Sequence, residues 1–142
     1  MAYEMYQEQI LDHYKHPRNF GEMPDADLQA HDNNPLCGDE LTMYLKVDAG
    51  GNITDAKFNG SGCAISRASA SLLTMRLKGK TVEEARKIDK EEVLKALGIP
   101  LGPVRLKCAL LSLQVLKKAL FSKEMAEGTG DGAAGLAGRI SK

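Results

Sequence analysis

The residues best able to do chemistry in this chain are its three cysteines. Cys37 lies in NPLCGDE, Cys63 in GSGCAIS and Cys108 in PVRLKCALL. Each falls at a predicted boundary: a loop before a strand, the junction of a strand and a helix, and about the first turn of a helix. Backbone N–H groups and a partial positive charge at a helix start favour the thiolate, which binds metal and attacks sulfur. These positions therefore favour one assembled site over three buried structural cysteines, although cysteine is often buried.

A carboxylate and three glycines accompany these thiols. Asp39 follows Cys37 by two positions, and three thiolates with one carboxylate would complete a four-coordinate metal set. The alternative is that Asp39 only forms a turn or an N-cap, and the spacing leaves both open. Gly38 precedes Asp39, and two more glycines, Gly60 and Gly62, precede the second cysteine, where they would allow the backbone to approach a ligand closely.

Two histidines offer a second, weaker candidate. His13 and His16 are three positions apart near the end of a predicted helix, so that they could share a face and bind a metal. The spacing is equally that of two solvated residues at a helix end, and we favour this second interpretation.

Composition and charge exclude several classes of function. The chain has 142 residues with 43% hydrophobic residues, which suits one ordinary domain. Nineteen basic and nineteen acidic residues cancel, and no basic stripe is present, so we expect no nucleic-acid partner. No apolar run reaches the length of a membrane span. The N-terminal MAYEMYQEQI lacks a basic leader and an apolar signal core, which predicts a cytoplasmic protein.

The first half of the chain predicts one helix and a hairpin. Tyr3, Tyr6, Ile10 and Tyr14 recur at helical spacing and indicate a helix over 3–15, whereas 17–36 resembles a loop with a short edge strand near Leu28. Strict alternation predicts a half-buried strand at 41–48, joined by AGGN to a second strand at 53–60. Four apolar residues of the first strand would share one face: Leu41, Met43, Leu45 and Val47.

The second half predicts helices. A helix with small residues follows Cys63 and ends at Gly79, and two short helices follow with Thr81 and Asp89 as N-caps. The last helix covers 105–121, with an apolar stripe of Leu106, Leu110, Leu113, Leu116 and Leu120. Residues 1–127 would form one domain. Residues 128–142 are rich in glycine and lack periodicity, so we expect a flexible tail that is dispensable for function.

Five segments of the chain form a recognisable set: ILDHYKHPRNFG, NPLCGDE, GSGCAISRASAS, KGKTVEEA and PVRLKCALL. With these segments, over about 6–121, the sequence resembles the IscU/SufU/NifU-type iron–sulfur cluster scaffold family. It implies an α+β fold, a small antiparallel β-sheet of about three strands packed on one side by helices.

The resemblance also implies a function and a ligand set. Cys37, Asp39, Cys63 and Cys108 would hold a [2Fe–2S] cluster, and Cys108 would be the persulfide acceptor. The chain would be a scaffold rather than an enzyme. It would take sulfur from a cysteine desulfurase, draw electrons from a donor such as a ferredoxin, and pass the cluster to acceptor apo-proteins. It could form a homo-oligomer around the cluster. The alternative is a zinc-dependent sulfurtransferase of the SufU type, with Zn²⁺ on the same residues.

Three features separate the branches of the family. Lys107 stands where many IscU members have histidine; this is SufU-like, and the lysine could lower the pKa of Cys108, pair with Asp39 or be merely solvated. The insertion that SufU-type chains carry between the second and third cysteines is missing, which is IscU-like and favours the scaffold. LGPVR at 101–105 departs from the Leu-Pro-Pro-Val-Lys motif that a dedicated chaperone recognises, so we do not expect that chaperone to bind.

Overall fold

The computed structural model describes residues 2–35 and 38–129, with side chains over 4–35 and 38–121. Within these residues the elements follow in the order α1 (Ala2–Lys15), β1 (Leu28–Asn34), β2 (Asp39–Val47), β3 (Ile53–Ser61), α2 (Ala64–Leu77), α3 (Val82–Arg86), α4 (Lys90–Leu97) and α5 (Pro103–Thr129). The three strands form one antiparallel sheet in the order β1–β2–β3. The predicted α+β class and the predicted hairpin are confirmed.

Strand β2 is central and orients the site. Leu41, Met43 and Leu45 are fully buried, as the alternation predicts, while Val47 lies beyond a register irregularity and is only partly buried. The strand begins at Asp39 rather than at Leu41. Because successive side chains alternate between the two faces of a strand, Asp39 shares the buried face with Leu41.

Strand β1 is longer than the sequence predicts. It runs over seven residues and pairs with β2 from Leu28 opposite Leu45 to Asn34 opposite Asp39. Its sequence, LQAHDNN, has low strand propensity, which is why it resembled a loop. Contacts distant in sequence stabilise it: the side-chain amide of Gln114 donates to the carboxylate of Asp32 at 2.8 Å.

Helices α2 and α5 cover one face of the sheet, and α1 packs on α2. Helix α2 ends before Gly79, whose φ of 91° is the left-handed region that favours glycine. Thr81 caps α3 with a reciprocal capping box, and Asp89 caps α4. These boundaries are confirmed as predicted.

Helix α5 begins earlier and is buried more widely than predicted. It starts at Pro103, a residue suited to the first helical position because its missing N–H would have no helical partner. Leu106 and Leu110 of the predicted stripe are only partly buried. Since α5 packs against both α2 and the sheet, the buried arc instead takes in further residues: Cys108, Ala109, Leu111, Ser112, Val115 and Ala119.

The predicted domain boundary at 127 falls near the end of α5, which reaches Thr129. Most of the predicted tail, 130–142, lies outside the described residues, so its flexibility stays a prediction. None of the helices in the described part of the chain combines the length and hydropathy that a membrane crossing requires.

Candidate metal centre

Three sequence-distant residues meet at one end of the sheet. Asp39 opens β2, Cys63 is the N-cap of α2, and Cys108 lies in the second turn of α5. Glu40 pairs with Ser61, so the end of β3 lies beside the start of β2 and brings Cys63 next to Asp39. A carboxylate oxygen of Asp39 and the two Sγ atoms lie within 4.8 Å of one another.

Glycines make this approach possible. A Cβ at Gly60 would lie 2.1 Å from the backbone oxygen of Glu40, and the φ of Gly60 is 133°. A Cβ at Gly62 would lie 3.1 Å from the Asp39 carboxyl carbon. The chain that leaves β3 thus passes close to the Glu40 backbone and the Asp39 carboxylate, at positions where a Cβ would crowd its neighbours.

Substitution of Gly60 by alanine is expected to destabilise the fold strongly. The added Cβ collides with backbone that cannot move without unpairing β2 and β3, so we expect a loss of about 3 kcal/mol or more. Gly51 is the matched control, because its φ is also positive, at 83°, but a Cβ there meets nothing within 4 Å. Gly51→Ala should cost only about 1 kcal/mol. Urea unfolding measures the free energy of unfolding of both variants. Equal losses of stability would show that the close approach of Gly60 to the backbone of Glu40 is unimportant.

The carboxylate of Asp39 is buried, with 2% of its surface exposed, and it accepts several hydrogen bonds. The backbone N–H of Cys63 donates to Oδ1 at 3.1 Å, and the Cys63 thiol lies 3.6 Å from Oδ2. Burial raises the pKa of Asp39, but hydrogen bonds from Ser66, Cys108 and Cys63 outweigh it and hold the pKa below its usual value. Asp39 thus presents a charged oxygen to two thiols.

Ser66 completes the site and was missed by the sequence analysis. It is fully buried in α2, three positions after Cys63, and its hydroxyl donates to Oδ2 of Asp39. The same hydroxyl lies 3.2 Å from the backbone oxygen of Cys108. The only signal in the sequence is a serine one helical turn after a candidate ligand, a spacing shared by many helical serines.

The two thiols occupy different surroundings. Cys63 is half-buried at the start of α2, as predicted. Cys108 is 1% exposed and packs among apolar residues that include Ile10, Ile65 and Leu97. Because the effect of a helix terminus falls off within the first turn, the position of Cys108 in the second turn weakens the prediction that the helix start activates it.

Alkylation should separate the two thiols in the metal-free protein. We expect iodoacetamide to modify Cys63 at least about tenfold faster than Cys108, because reaction at the buried thiol requires local opening. Peptide-resolved mass spectrometry over a time course measures both rates in one sample. In denaturant the rates should converge. A faster reaction at Cys108 would contradict the burial described here.

Cys37 lies outside the described residues, so its part in the ligand set stays a prediction. The connection that contains it joins Asn34 to Asp39, which are paired across β1 and β2, and the N–H of Gly38 donates to the backbone oxygen of Asn34 at 2.9 Å. Asn34 and Gly38, which are described on either side of Cys37, thus lie at the end of the sheet where Asp39 begins β2.

Lys107 does not make the contact with Asp39 that was considered. Its side chain is exposed and forms no hydrogen bond or ion pair with any residue that the structure describes. It lines an open cleft together with Asn33, Pro35 and Gln114. A role for Lys107 in modulating Cys108 therefore rests on its position in the sequence alone.

The two histidines belong to no group of three or more potential metal ligands among the described residues, where the one such group is that of Asp39, Cys63 and Cys108. We favoured the interpretation that both histidines are solvated at the end of the helix. This was wrong for His13, which is buried. Its Nδ1 lies 2.7 Å from the hydroxyl of Ser71, and burial lowers the pKa of His13. His16 is exposed, as predicted.

The donor set suits one metal ion. Zinc bonds to sulfur at about 2.3 Å and to carboxylate oxygen at about 2.1 Å, so tetrahedral ligands on one ion lie about 3.6 Å apart. The separation of the Cys63 sulfur from Oδ2 of Asp39 is 3.6 Å, and the third donor lies within 4.8 Å.

The fold and the site define a small α+β protein with a buried cysteine–carboxylate centre at one end of its sheet. The family described as NifU-like N terminal domain matches residues 5–128, and the chain belongs to this family. The resemblance noted from the motifs is thereby confirmed.

Relatives from both branches match most of the chain. The zinc-dependent sulfurtransferase SufU of Bacillus subtilis is 38% identical over 137 residues, which cover 84% of this chain and 92% of the relative. The iron–sulfur cluster assembly scaffold protein IscU 1 of Archaeoglobus fulgidus is 41% identical over 116 residues, which cover 82% of this chain and 74% of the relative. A crystal structure from Fervidobacterium islandicum, described as a candidate cluster assembly scaffold of the SUF system, superposes with a TM-score of 0.70 at 32% identity, covering 84% of this chain and 99% of that one.

Proposed function

We propose that this chain is a scaffold for iron–sulfur cluster assembly, which receives sulfur from a cysteine desulfurase, builds a [2Fe–2S] cluster as its cargo and hands the cluster to acceptor proteins. The observation that carries the proposal is the convergence of Asp39, Cys63 and Cys108 at one buried centre in a member of this family. Cys37 is proposed as the fourth ligand. The reduced thiols on which this function depends suit the cytoplasm.

The donor types fit this cargo. Cysteine thiolates are the usual ligands of iron–sulfur clusters, and a carboxylate oxygen is a harder, less covalent ligand for iron. Three thiolates with one carboxylate would hold a cluster less tightly than four thiolates, which suits a protein that must release what it builds.

A second candidate is a zinc-dependent sulfurtransferase, in which Zn²⁺ is held by the same residues. Two observations favour it: the similarity to the SufU protein of Bacillus subtilis, and the 3.6 Å between the Cys63 sulfur and Oδ2 of Asp39, a separation that two ligands of one tetrahedral Zn²⁺ would have. When bound there, Zn²⁺ would stabilise thiolates at neutral pH. In this case the chain would act as an enzyme.

Anaerobic reconstitution distinguishes the two candidates. The protein is incubated with ferrous iron, an equal amount of Zn²⁺, cysteine, a cysteine desulfurase and a thiol reductant, which supplies the electrons that convert persulfide sulfur to sulfide. Visible absorption, iron, sulfide and zinc are then measured. A coloured protein holding about two irons and two sulfides per cluster supports the scaffold. Stoichiometric zinc that iron does not replace, together with faster desulfurase turnover, supports the sulfurtransferase. A protein that binds neither metal would overturn both proposals.

A further inference from the structure

The hydroxyl of Ser66 has two acceptors but only one hydrogen. It lies within hydrogen-bond distance of Oδ2 of Asp39 and 3.2 Å from the backbone oxygen of Cys108, and it is fully buried. A serine hydroxyl donates one hydrogen bond, so the two acceptors must alternate. One of the two acceptors is a carboxylate and the other a neutral carbonyl, so the choice of acceptor has an energetic consequence.

The two oxygens of Asp39 have different surroundings. Oδ1 accepts from the backbone N–H of Cys63 at 3.1 Å, a bond that fixes the carboxylate to the start of α2. Oδ2 faces the Cys63 thiol at 3.6 Å and accepts from Ser66. Oδ2 is therefore the oxygen placed to bind a metal, and Ser66 donates to that same oxygen.

We propose that Ser66 is a positioning residue that competes with the metal for Asp39. In the metal-free chain its hydroxyl donates to Oδ2; when Oδ2 binds a metal, the hydroxyl turns to the backbone oxygen of Cys108. The inference rests on the proposed ligand role of Asp39. Its consequence is that Ser66 weakens the bond between Asp39 and the metal and favours release.

The direction of the effect follows from linkage. An interaction present only in the metal-free state stabilises that state and lowers the affinity for metal by the same free energy. A hydrogen bond to a carboxylate is stronger than one to a neutral carbonyl, so turning the hydroxyl loses stability. A carbonyl oxygen has two lone pairs, so the backbone oxygen of Cys108 can accept the Ser66 hydroxyl in addition to its N–H partner within the helix. The hydroxyl is therefore not left as an unpaired buried donor.

Ser69 provides the matched control. It lies on the same helix three positions later, is equally buried, and donates to the backbone oxygen of Ala109 at 2.7 Å, the residue after Cys108. Its other neighbour is the hydroxyl of Ser112, at 2.9 Å, rather than a carboxylate. Loss of this hydroxyl should lower stability with and without metal, and leave the affinity unchanged.

Zinc titration in competition with a chromophoric chelator tests the proposal, using the full chain at fixed pH. We expect Ser66→Ala to bind Zn²⁺ about tenfold more tightly than the parent, the size of the difference between a hydrogen bond to a charged group and one to a neutral carbonyl. The metal-free variant should also melt at a lower temperature. Ser66→Gly, which removes Cβ as well as the hydroxyl, should change the affinity in the same direction. Ser69→Ala should keep the parental affinity.

The outcomes separate this proposal from the one on which it rests. Parental or weaker zinc affinity in both Ser66 variants, with weaker binding in Asp39→Ala, would overturn the role of Ser66 alone. Parental affinity in Asp39→Ala would overturn the ligand role of Asp39. In an Asp39→Ala background, Ser66→Ala should no longer raise the affinity, because the carboxylate for which Ser66 and the metal compete is gone.

Discussion

Replacement of Cys108 by serine is expected to abolish most of the persulfide that the chain gains from a cysteine desulfurase. Sulfur transfer requires a thiolate that attacks the terminal sulfur of the donor's persulfide; a new S–S bond forms at Cys108, and the donor's cysteine leaves as a thiolate. A serine hydroxyl is not a nucleophile toward sulfur under these conditions, so the yield should fall by about tenfold or more. Mass spectrometry after incubation with desulfurase and cysteine measures it.

Cys63→Ser is the control for this prediction. It removes a thiol from the same centre but leaves Cys108 in place, so it should retain most of the persulfide. If Cys108→Ser gains persulfide as readily as the parent, the acceptor is another cysteine and the assignment is wrong. The burial of Cys108 adds a further expectation: transfer should be slower than a reaction at an exposed thiol, because the donor must open the apolar cluster around it.

The burial of Cys108 also changes how its reactivity is explained. Neither the helix start nor an ion pair between Lys107 and Asp39 acts on this thiol in the structure. What lies beside it is the charged carboxylate of Asp39, which accepts its hydrogen bond. Because the thiolate is the form of cysteine that binds metal, a metal bound at the centre would replace the proton of Cys108.

Local signals in the sequence predicted much of the fold. The alternation over Leu41, Met43 and Leu45 identified the central strand, and capping residues such as Thr81 and Asp89 marked helix starts, because each depends on neighbours only a few positions away. The glycines before Cys63 also predicted a close approach. Bringing Asp39, Cys63 and Cys108 together required the family resemblance, since spacing alone left Asp39 open as a turn residue.

Long-range contacts explain what the sequence did not predict. Strand β1 has few strand-favouring residues and is held by β2 and by Gln114 of α5. His13 lies near the end of its helix, where solvation is common, but Ser71 of α2 covers it. Ser66 matters only because α2, α5 and β2 meet at its hydroxyl. The side-chain partners of Ser66, His13 and Gln114 named here are 27 to 82 positions away in the chain, beyond the reach of periodicity.

Asp39 should determine how long an assembled cluster stays on the chain. We expect Asp39→Cys to extend the lifetime of the cluster, provided the end of β2 accepts the thiol, since a fourth thiolate bonds iron more covalently than a carboxylate oxygen. Asp39→Ala should slow transfer to an acceptor apo-ferredoxin by about tenfold, a change in barrier of ~1.4 kcal/mol, because the labile ligand through which the cluster exchanges is gone. The decay of visible absorption and the rate of transfer measure both effects.

The structure gives a physical reason for that lability. When the carboxylate leaves the cluster, it returns to donors already in place, the N–H of Cys63 and the hydroxyl of Ser66, so breaking its bond to iron leaves no buried charge unpaired. Asp32→Ala is the control, because it removes a carboxylate from the neighbouring strand that is bonded to Gln114 and Lys118 instead of to the thiols. It should leave cluster lifetime and transfer unchanged. If both Asp39 variants build and hand over clusters at parental rates, the carboxylate only caps α2 and the exchange must use another ligand.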